Sequence, residues 1–396
     1  WTRGSFPPKR TFSMKYLALI LSNLKRHKLR TVLTILSILV AFLLLGYLGA
    51  IRTAFTAGIE VAGIDRLIVR HKVSIIQMLP SSYEARIEQV EGVEDAVSLV
   101  WFGGYYQDPK NQFPQFPVKP GEYLEMYPEF LLSDEERTAW LETRTGAVVG
   151  RSIADRFGWK IGDQIPITAT IWTQAGGERT WEFDLVGIYD GAEKGTDTTQ
   201  FLFHWDYFDE ARAFGKGTVG WYTVRISEPE RSAEISTIID ERFANSQAET
   251  KAEPEGAFVQ GFANQIGDVG FIMSSIIAAV FFTILLVAGN TMAYAVRERT
   301  NELAVLKAIG FTDRSVMGLV LLESFLLTAI GGGIGLGLAW LMVSAGDPTN
   351  GMLPVFYIPV RDIVIGVALI VVMAFIAGIL PALQAERLRI ADALRR

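Results

Sequence analysis

The stretch TVLTILSILVAFLLLGYLGAI, residues 31–51, carries no charge. At 1.5 Å per helical residue it is long enough to cross about 30 Å of hydrocarbon. Three further apolar runs follow at residues 269–296, 315–346 and 363–385, interrupted only by Glu323. Lipid offers no partner to an unpaired backbone amide, so each run that spans must be helical. The runs are spaced as one plus three, with the mostly polar residues 52–268 after the first. The expected fold is a membrane protein of four transmembrane α-helices with a large α+β extracytoplasmic (periplasmic) domain inserted between helices 1 and 2.

Charge orients this arrangement. Ahead of the first run stand Arg3, Lys9, Arg10, Lys15, Lys25, Arg26, Lys28 and Arg30, with no Asp or Glu among them. By the positive-inside rule that end faces the cytoplasm. Four crossings then return the C-terminus to the same side. Arg297, Arg299, Lys307 and Arg314 between the second and third runs, and Arg387, Arg389, Arg395 and Arg396 at the tail, agree with this. Residues 52–268 hold 20 Lys or Arg against 35 Asp or Glu, which suits the far side. The resulting plan has a leader or extraneous remnant at 1–13, an amphipathic interfacial helix or simple basic flank at 14–30, and spans at 31–51, 269–296, 315–346 and 363–385. A cytoplasmic coupling segment lies at 297–314, a short periplasmic loop at 347–362 and a cytoplasmic tail at 386–396. The first run is too long for the core of a signal peptide and reads as an uncleaved anchor.

Several chemistries are disfavoured. There is no cysteine, which removes disulfides and thiolate ligands, and the three histidines, His27, His71 and His204, are scattered. Gly215-Lys216-Gly217 lacks the following hydroxyl and the leading glycine of a phosphate loop. No catalytic or metal site is expected in this chain, and no nucleic-acid partner.

Within residues 52–268, strands are expected at 67–69, 96–101, 147–149, 165–171, 181–188 and 221–226, and helices at 83–90, 152–157 and 231–243. Ile235, Ile238 and Ile239 would face inward. The Pro-rich stretch 109–120 reads as a loop or a sheet edge, because proline cannot donate to a ladder. This is enough material for two small lobes with separate cores. Trp101, Phe102, Tyr105, Tyr106, Phe113 and Phe116 would form either core or a surface receiving an apolar ligand.

The most specific pattern follows the second run. Asn290-Thr291-Met292 leads through Arg297-Glu298-Arg299-Thr300-Asn301-Glu302-Leu303 to Lys307-Ala308-Ile309-Gly310 and Arg314. Glu323 precedes Gly331-Gly332-Gly333, Gly335 and Gly337, and Pro381-Ala382, Ala385 and Ile390-Ala391-Asp392-Ala393-Leu394-Arg395 close the chain. In order and spacing these resemble the FtsX-like permease family, nearest its macrolide-exporter (MacB-like) branch of mechanotransmission (type VII) ABC transporters, without the fused ATPase. Val149-Gly150-Arg151-Ser152-Ile153-Ala154, Gly162-Asp163 and Val186-Gly187-Ile188 resemble the family's extracytoplasmic core. Residues 101–144 follow no such pattern.

The resemblance implies a homodimeric permease in a bacterial inner membrane, working with two ABC ATPase subunits that bind ATP and Mg. A coupling helix over about 299–309 would dock on the ATPase, with Arg299, Glu302, Leu303, Leu306, Lys307 and Gly310 as its residues and Leu303, Leu306 and Lys307 toward the partner's groove. Glu323 would tie the third span to Arg297 or Arg299, or lie near enough to the headgroups to stay wet. Gly331, Gly333, Gly335 and Gly337 would permit close helix packing, with membrane lipid around them. The implied task is export of an amphipathic substrate with a periplasmic adaptor and an outer-membrane channel. Lipoprotein release, a signalling permease regulating a cell-wall hydrolase, and a sensor without an ATPase are the alternatives.

Overall fold

The structure, a computed structural model, describes residues 28–61, 63–193, 195–265, 269–348, 353 and 355–388. Most of the expected interfacial segment 14–30 and the C-terminal motif 390–395 lie outside the described residues. The chain divides into a helical unit, reaching to Ile51 and including Phe271–Ala345 and the residues from Tyr357 on, and an α+β unit, Arg52–Gly270 with Gly346–Phe356.

Among the described residues, four helices are long and apolar enough to cross a membrane: Lys28–Val61, Val269–Glu298, Asp313–Ser344 and Val360–Glu386. Close packing among them is built on missing side chains. A Cβ on Gly331 would stand 2.9 Å from the Ile35 carbonyl oxygen, and one on Gly335 would collide with the carbonyl of Leu39. Gly332, which the sequence reading did not single out for packing, meets Ile370 and Phe42. Gly333 and Gly337 face open space instead, so the expected four-glycine packing face is corrected to Gly331, Gly332 and Gly335. The cause is helical geometry, since Gly331 and Gly335 share a face and Gly333 sits across the helix from them. Ser324 Oγ donates to the Ala374 carbonyl at 2.8 Å and so ties the third apolar helix to the fourth.

The α+β unit contains two main sheets. The first is antiparallel, in the order Thr250–Pro254, Arg66–His71, Trp221–Ile226, Val93–Leu99. The second is mixed, in the order Gly104–Tyr106, Gln164–Ala169, Thr180–Gly191, Gly146–Gly150, Phe201–His204, Gln115–Val118. The Pro-rich stretch supplies the last of these, an edge strand parallel to Phe201–His204. An edge is where Pro117 leaves the fewest ladder bonds unmade.

Two expectations are corrected here. The lobes do not have separate cores, because one buried cluster contains Leu67, Ile235 and Phe243 beside the first sheet together with Trp181 and Phe203 of the second and Phe102 from the loop before Gly104–Tyr106. Phe102 stands edge-on to Trp181, Phe183, Phe203 and Phe208, with ring centroids 5.1 to 6.4 Å apart. On the helix Ser232–Arg242, Ile235 and Ile239 are buried but Ile238 is exposed. Of the six aromatic residues with two readings, Phe102 and Phe113 are core and Trp101 is exposed.

Arg66 opens the strand that follows the first apolar helix, and it is buried. Its Nε donates to Glu255 at 2.7 Å, and its Nη1 and Nη2 donate to the two oxygens of Glu129 at 3.2 and 2.8 Å. The guanidinium also lies 4.4 Å from the Tyr127 ring centroid. Burial pulls the Arg66 pKa down, and the two carboxylates more than restore it, leaving it above the ordinary arginine value.

Candidate functional site: the connector of the helical unit

The helix Val269–Glu298 ends where Arg299 leaves the helical conformation, and a second, short helix, Thr300–Ala308, starts at once. This connector stops for a local reason. Gly310 adopts φ +105°, its N–H donates to the Lys307 carbonyl at 3.1 Å, and the Phe311 N–H donates to the Leu306 carbonyl at 3.1 Å. That pair of bonds across a left-handed glycine is the Schellman ending, which satisfies carbonyls the helix would leave open. Thr312 then caps the third apolar helix through its hydroxyl, which accepts from the Ser315 N–H at 3.3 Å. The sequence Ala308-Ile309-Gly310-Phe311-Thr312 is thus a helix stop followed by a helix start.

Both ends of the connector are held by buried charge. Arg299 Nη2 donates to both carboxylate oxygens of Glu323 at 2.6 Å, and its Nε reaches the Ala295 carbonyl at 3.4 Å. Arg299 and Glu323 are both buried, while Arg297 is exposed. Removing one member of a buried pair leaves the other charge uncompensated and costs about 3–5 kcal/mol. At the other end, Lys307 Nζ donates to the carbonyl oxygens of Glu386 and Leu388 at 2.6 and 3.0 Å and pairs with Asp313 at 2.8 Å. An ammonium on the last carbonyls of Val360–Glu386 complements the negative end of that helix.

The expected docking face is therefore corrected. Leu303 and Lys307 turn inward, Leu303 into a cluster with Met292, Val296, Val316, Val320 and Ala382, and Leu306 is half-buried against it. The exposed side of the connector carries Asn301, Glu302, Val305, Ala308 and Ile309. Sequence spacing alone left this ambiguous, because Leu303 and Lys307, one turn apart, share a face that is equally plausible inward or outward. Glu323 was the available clue, since a carboxylate in an apolar helix needs a partner and Arg299 is the one that meets it. The contact between Ser324 and Ala374 was missed; Ser324 beside Gly378 is the small-residue signal that marks it.

Comparison with known proteins bears on the same segment. The family model described as FtsX-like permease C-terminal matches residues 274–389, which include the connector. The chain is 34% identical over 146 residues to the uncharacterized ABC transporter permease YknZ of Bacillus subtilis (strain 168), covering 35% of each. It is 30% identical over 193 residues to the macrolide export ATP-binding/permease protein MacB of Shewanella sp. (strain W3-18-1), covering 47% of this chain and 29% of the relative. The alignments thus reach only about a third of these relatives' own lengths. Among solved structures, the periplasmic region of MacB from Actinobacillus actinomycetemcomitans is similar at a TM-score of 0.37 and 10% identity, covering 52% of this chain and 96% of that one.

Proposed function

Because this chain carries an FtsX-like permease domain of the ABC transporter type, we propose that it converts ATP-driven motion of a partner ATPase into movement of its α+β unit beyond the membrane. In this reading it is a multi-pass protein of a bacterial inner membrane with both termini in the cytoplasm and the α+β unit in the periplasm. Two copies of the chain work with two ATPase subunits, and those subunits bind ATP and Mg. The cargo is an amphipathic molecule passed to a periplasmic adaptor and an outer-membrane channel, a reading drawn from the export named for the Shewanella relative.

The observation that carries the proposal is the connector Thr300–Ala308, a short helix with one side buried against its own unit and the other side exposed, with Val305 and Ile309 as its apolar residues. A helix offering apolar anchors one turn apart fits a groove in a partner. Replacing Val305 and Ile309 by Glu tests it, with co-purification of the ATPase and its hydrolysis rate in the complex as readouts. The complex is expected to dissociate and stimulated hydrolysis to be lost; a complex that assembles and hydrolyses like the wild type would refute the docking assignment. Co-purified lipoprotein in place of an adaptor would redirect the cargo to lipoprotein release, and a cell-wall hydrolase would redirect it to signalling.

A further inference from the structure

We propose that Arg299 and Lys307 are positioning residues that bolt the connector helix at its two ends to the third and fourth apolar helices, so that force on the connector moves those helices directly and does not swing the connector on its own. The proposal rests on the reading above that the connector receives force from a partner.

The geometry supports a crossbar in three ways. The connector is short, and its backbone joins only the second and third apolar helices, so its link to the fourth must come from side chains. Lys307 supplies that link by reaching the terminal carbonyls of Val360–Glu386. Arg299 supplies a second link to the third apolar helix, at Glu323, well away from the point where the chain itself enters that helix at Asp313. A bar attached to the third helix at two separated points cannot pivot about either one.

The chemistry of the two fastenings explains why they hold. Arg299 and Glu323 are buried, so water does not compete for the pair, and breaking it strands a charge on each side. Lys307 is buried too, with its ammonium shared among two carbonyls and Asp313. Between them, Leu303 and Ala304 are buried on the inner side of the connector, Leu303 in the cluster with Val316 and Ala382.

Two stages of hydrogen–deuterium exchange on the full chain test this. In the first, the chain alone in detergent is compared with Glu323→Gln and Lys307→Met. Amides 303–309 are expected to exchange on the order of tenfold faster or more in each variant, with the strands of the α+β unit unchanged. Lys307→Arg, and the exchanged pair Arg299→Glu with Glu323→Arg, are expected to restore protection. Should Glu323→Gln fail to accumulate, Lys307→Met carries the comparison, and wild-type protection of 303–309 in it would overturn the fastening. In the second stage, the complex with its ATPase in phosphatidylethanolamine and phosphatidylglycerol nanodiscs is trapped with ATP and vanadate. The variants are expected to retain the ATPase and hydrolyse ATP, while the nucleotide-dependent change in exchange of the α+β unit is lost.

Wild-type protection of 303–309 in both single variants would overturn the fastening itself. Normal nucleotide response of the α+β unit in variants whose connector has loosened would overturn its role in transmission. Failure of the wild-type chain to retain any ATPase would instead overturn the proposed function, and the first-stage result would stand by itself.

Discussion

Phe102 in the α+β unit and Gly335 in the helical unit each sit at the centre of their unit's packing, yet one is a large aromatic side chain and the other is none at all. Phe102 touches four rings edge-on, whereas Gly335 lets a neighbouring backbone carbonyl approach where no Cβ would fit. The surroundings explain the contrast. In water, each Å² of apolar surface removed contributes roughly 25 cal/mol, so a core gains by size. Between helices in lipid that gain is absent, and contact comes from letting backbones approach. The same division governs buried charge. Arg66 is matched by two carboxylates and an aromatic face, while Arg299 has one carboxylate and a carbonyl. A fastening with fewer partners is the easier one to break by a single substitution.

The largest expected effect that sharpens this contrast is Phe102→Ala. Truncating a buried ring with four aromatic neighbours should cost about 3–5 kcal/mol through lost transfer energy and the cavity left behind. Tryptophan fluorescence during thermal unfolding of the full chain in detergent would report it, because Trp181 stands against Phe102. A transition unmoved by the substitution would mean that the two sheets do not depend on their shared core.

That shared core is also where the sequence was least legible. The four helices could be read from apolar length alone, because hydrocarbon thickness fixes a minimum run and lipid excludes charge. The strands at 67–69, 147–149 and 221–226 were legible for a similar reason, their dense β-branched and apolar composition. Whether Phe102 faces the same core as Ile235 depends on how two sheets meet, and no local pattern encodes that. The connector shows the boundary within a few residues. Its approximate extent, 299–309, followed from the family resemblance, and the structure ends it at the left-handed Gly310. The direction of Leu303 and Lys307 did not follow, because Lys307 meets the carbonyls of Glu386 and Leu388, some 80 residues away in the chain, and Leu303 packs in a cluster that includes Ala382.

A smaller effect should separate the two glycine faces. Gly335→Leu places a branched side chain against the Leu39 carbonyl and Phe42, and overpacking of this kind costs about 1–3 kcal/mol. Gly333→Leu meets open space and should leave the helical unit's stability close to that of the wild type, apart from a small gain in helix propensity. Apparent melting midpoints of the two variants in the same detergent check this. If both fell equally, the outward face would also be packed in the native assembly, and the contrast between the faces would belong to the single chain only.

The smallest effect is expected at an exposed pair in the α+β unit. Arg151 Nε and Nη2 donate to the two oxygens of Asp190 at 3.0 Å, and these bonds hold the Asp190 pKa below the usual aspartate value. A carboxylate whose folded pKa is depressed adds stability above its unfolded pKa, near 3.9, and that contribution is lost as pH falls through the lower folded value. Both side chains are about half exposed, so water and salt screen the pair and it should be worth no more than about 1 kcal/mol. Asp190→Asn should therefore lower the melting midpoint slightly at neutral pH and leave it unchanged once the pH is well below the depressed folded pKa of Asp190, where the wild type has lost the same charge. Equal loss at both pH values would point to packing by Asp190, and the ion pair would then contribute nothing, in contrast to the matched charges around Arg66.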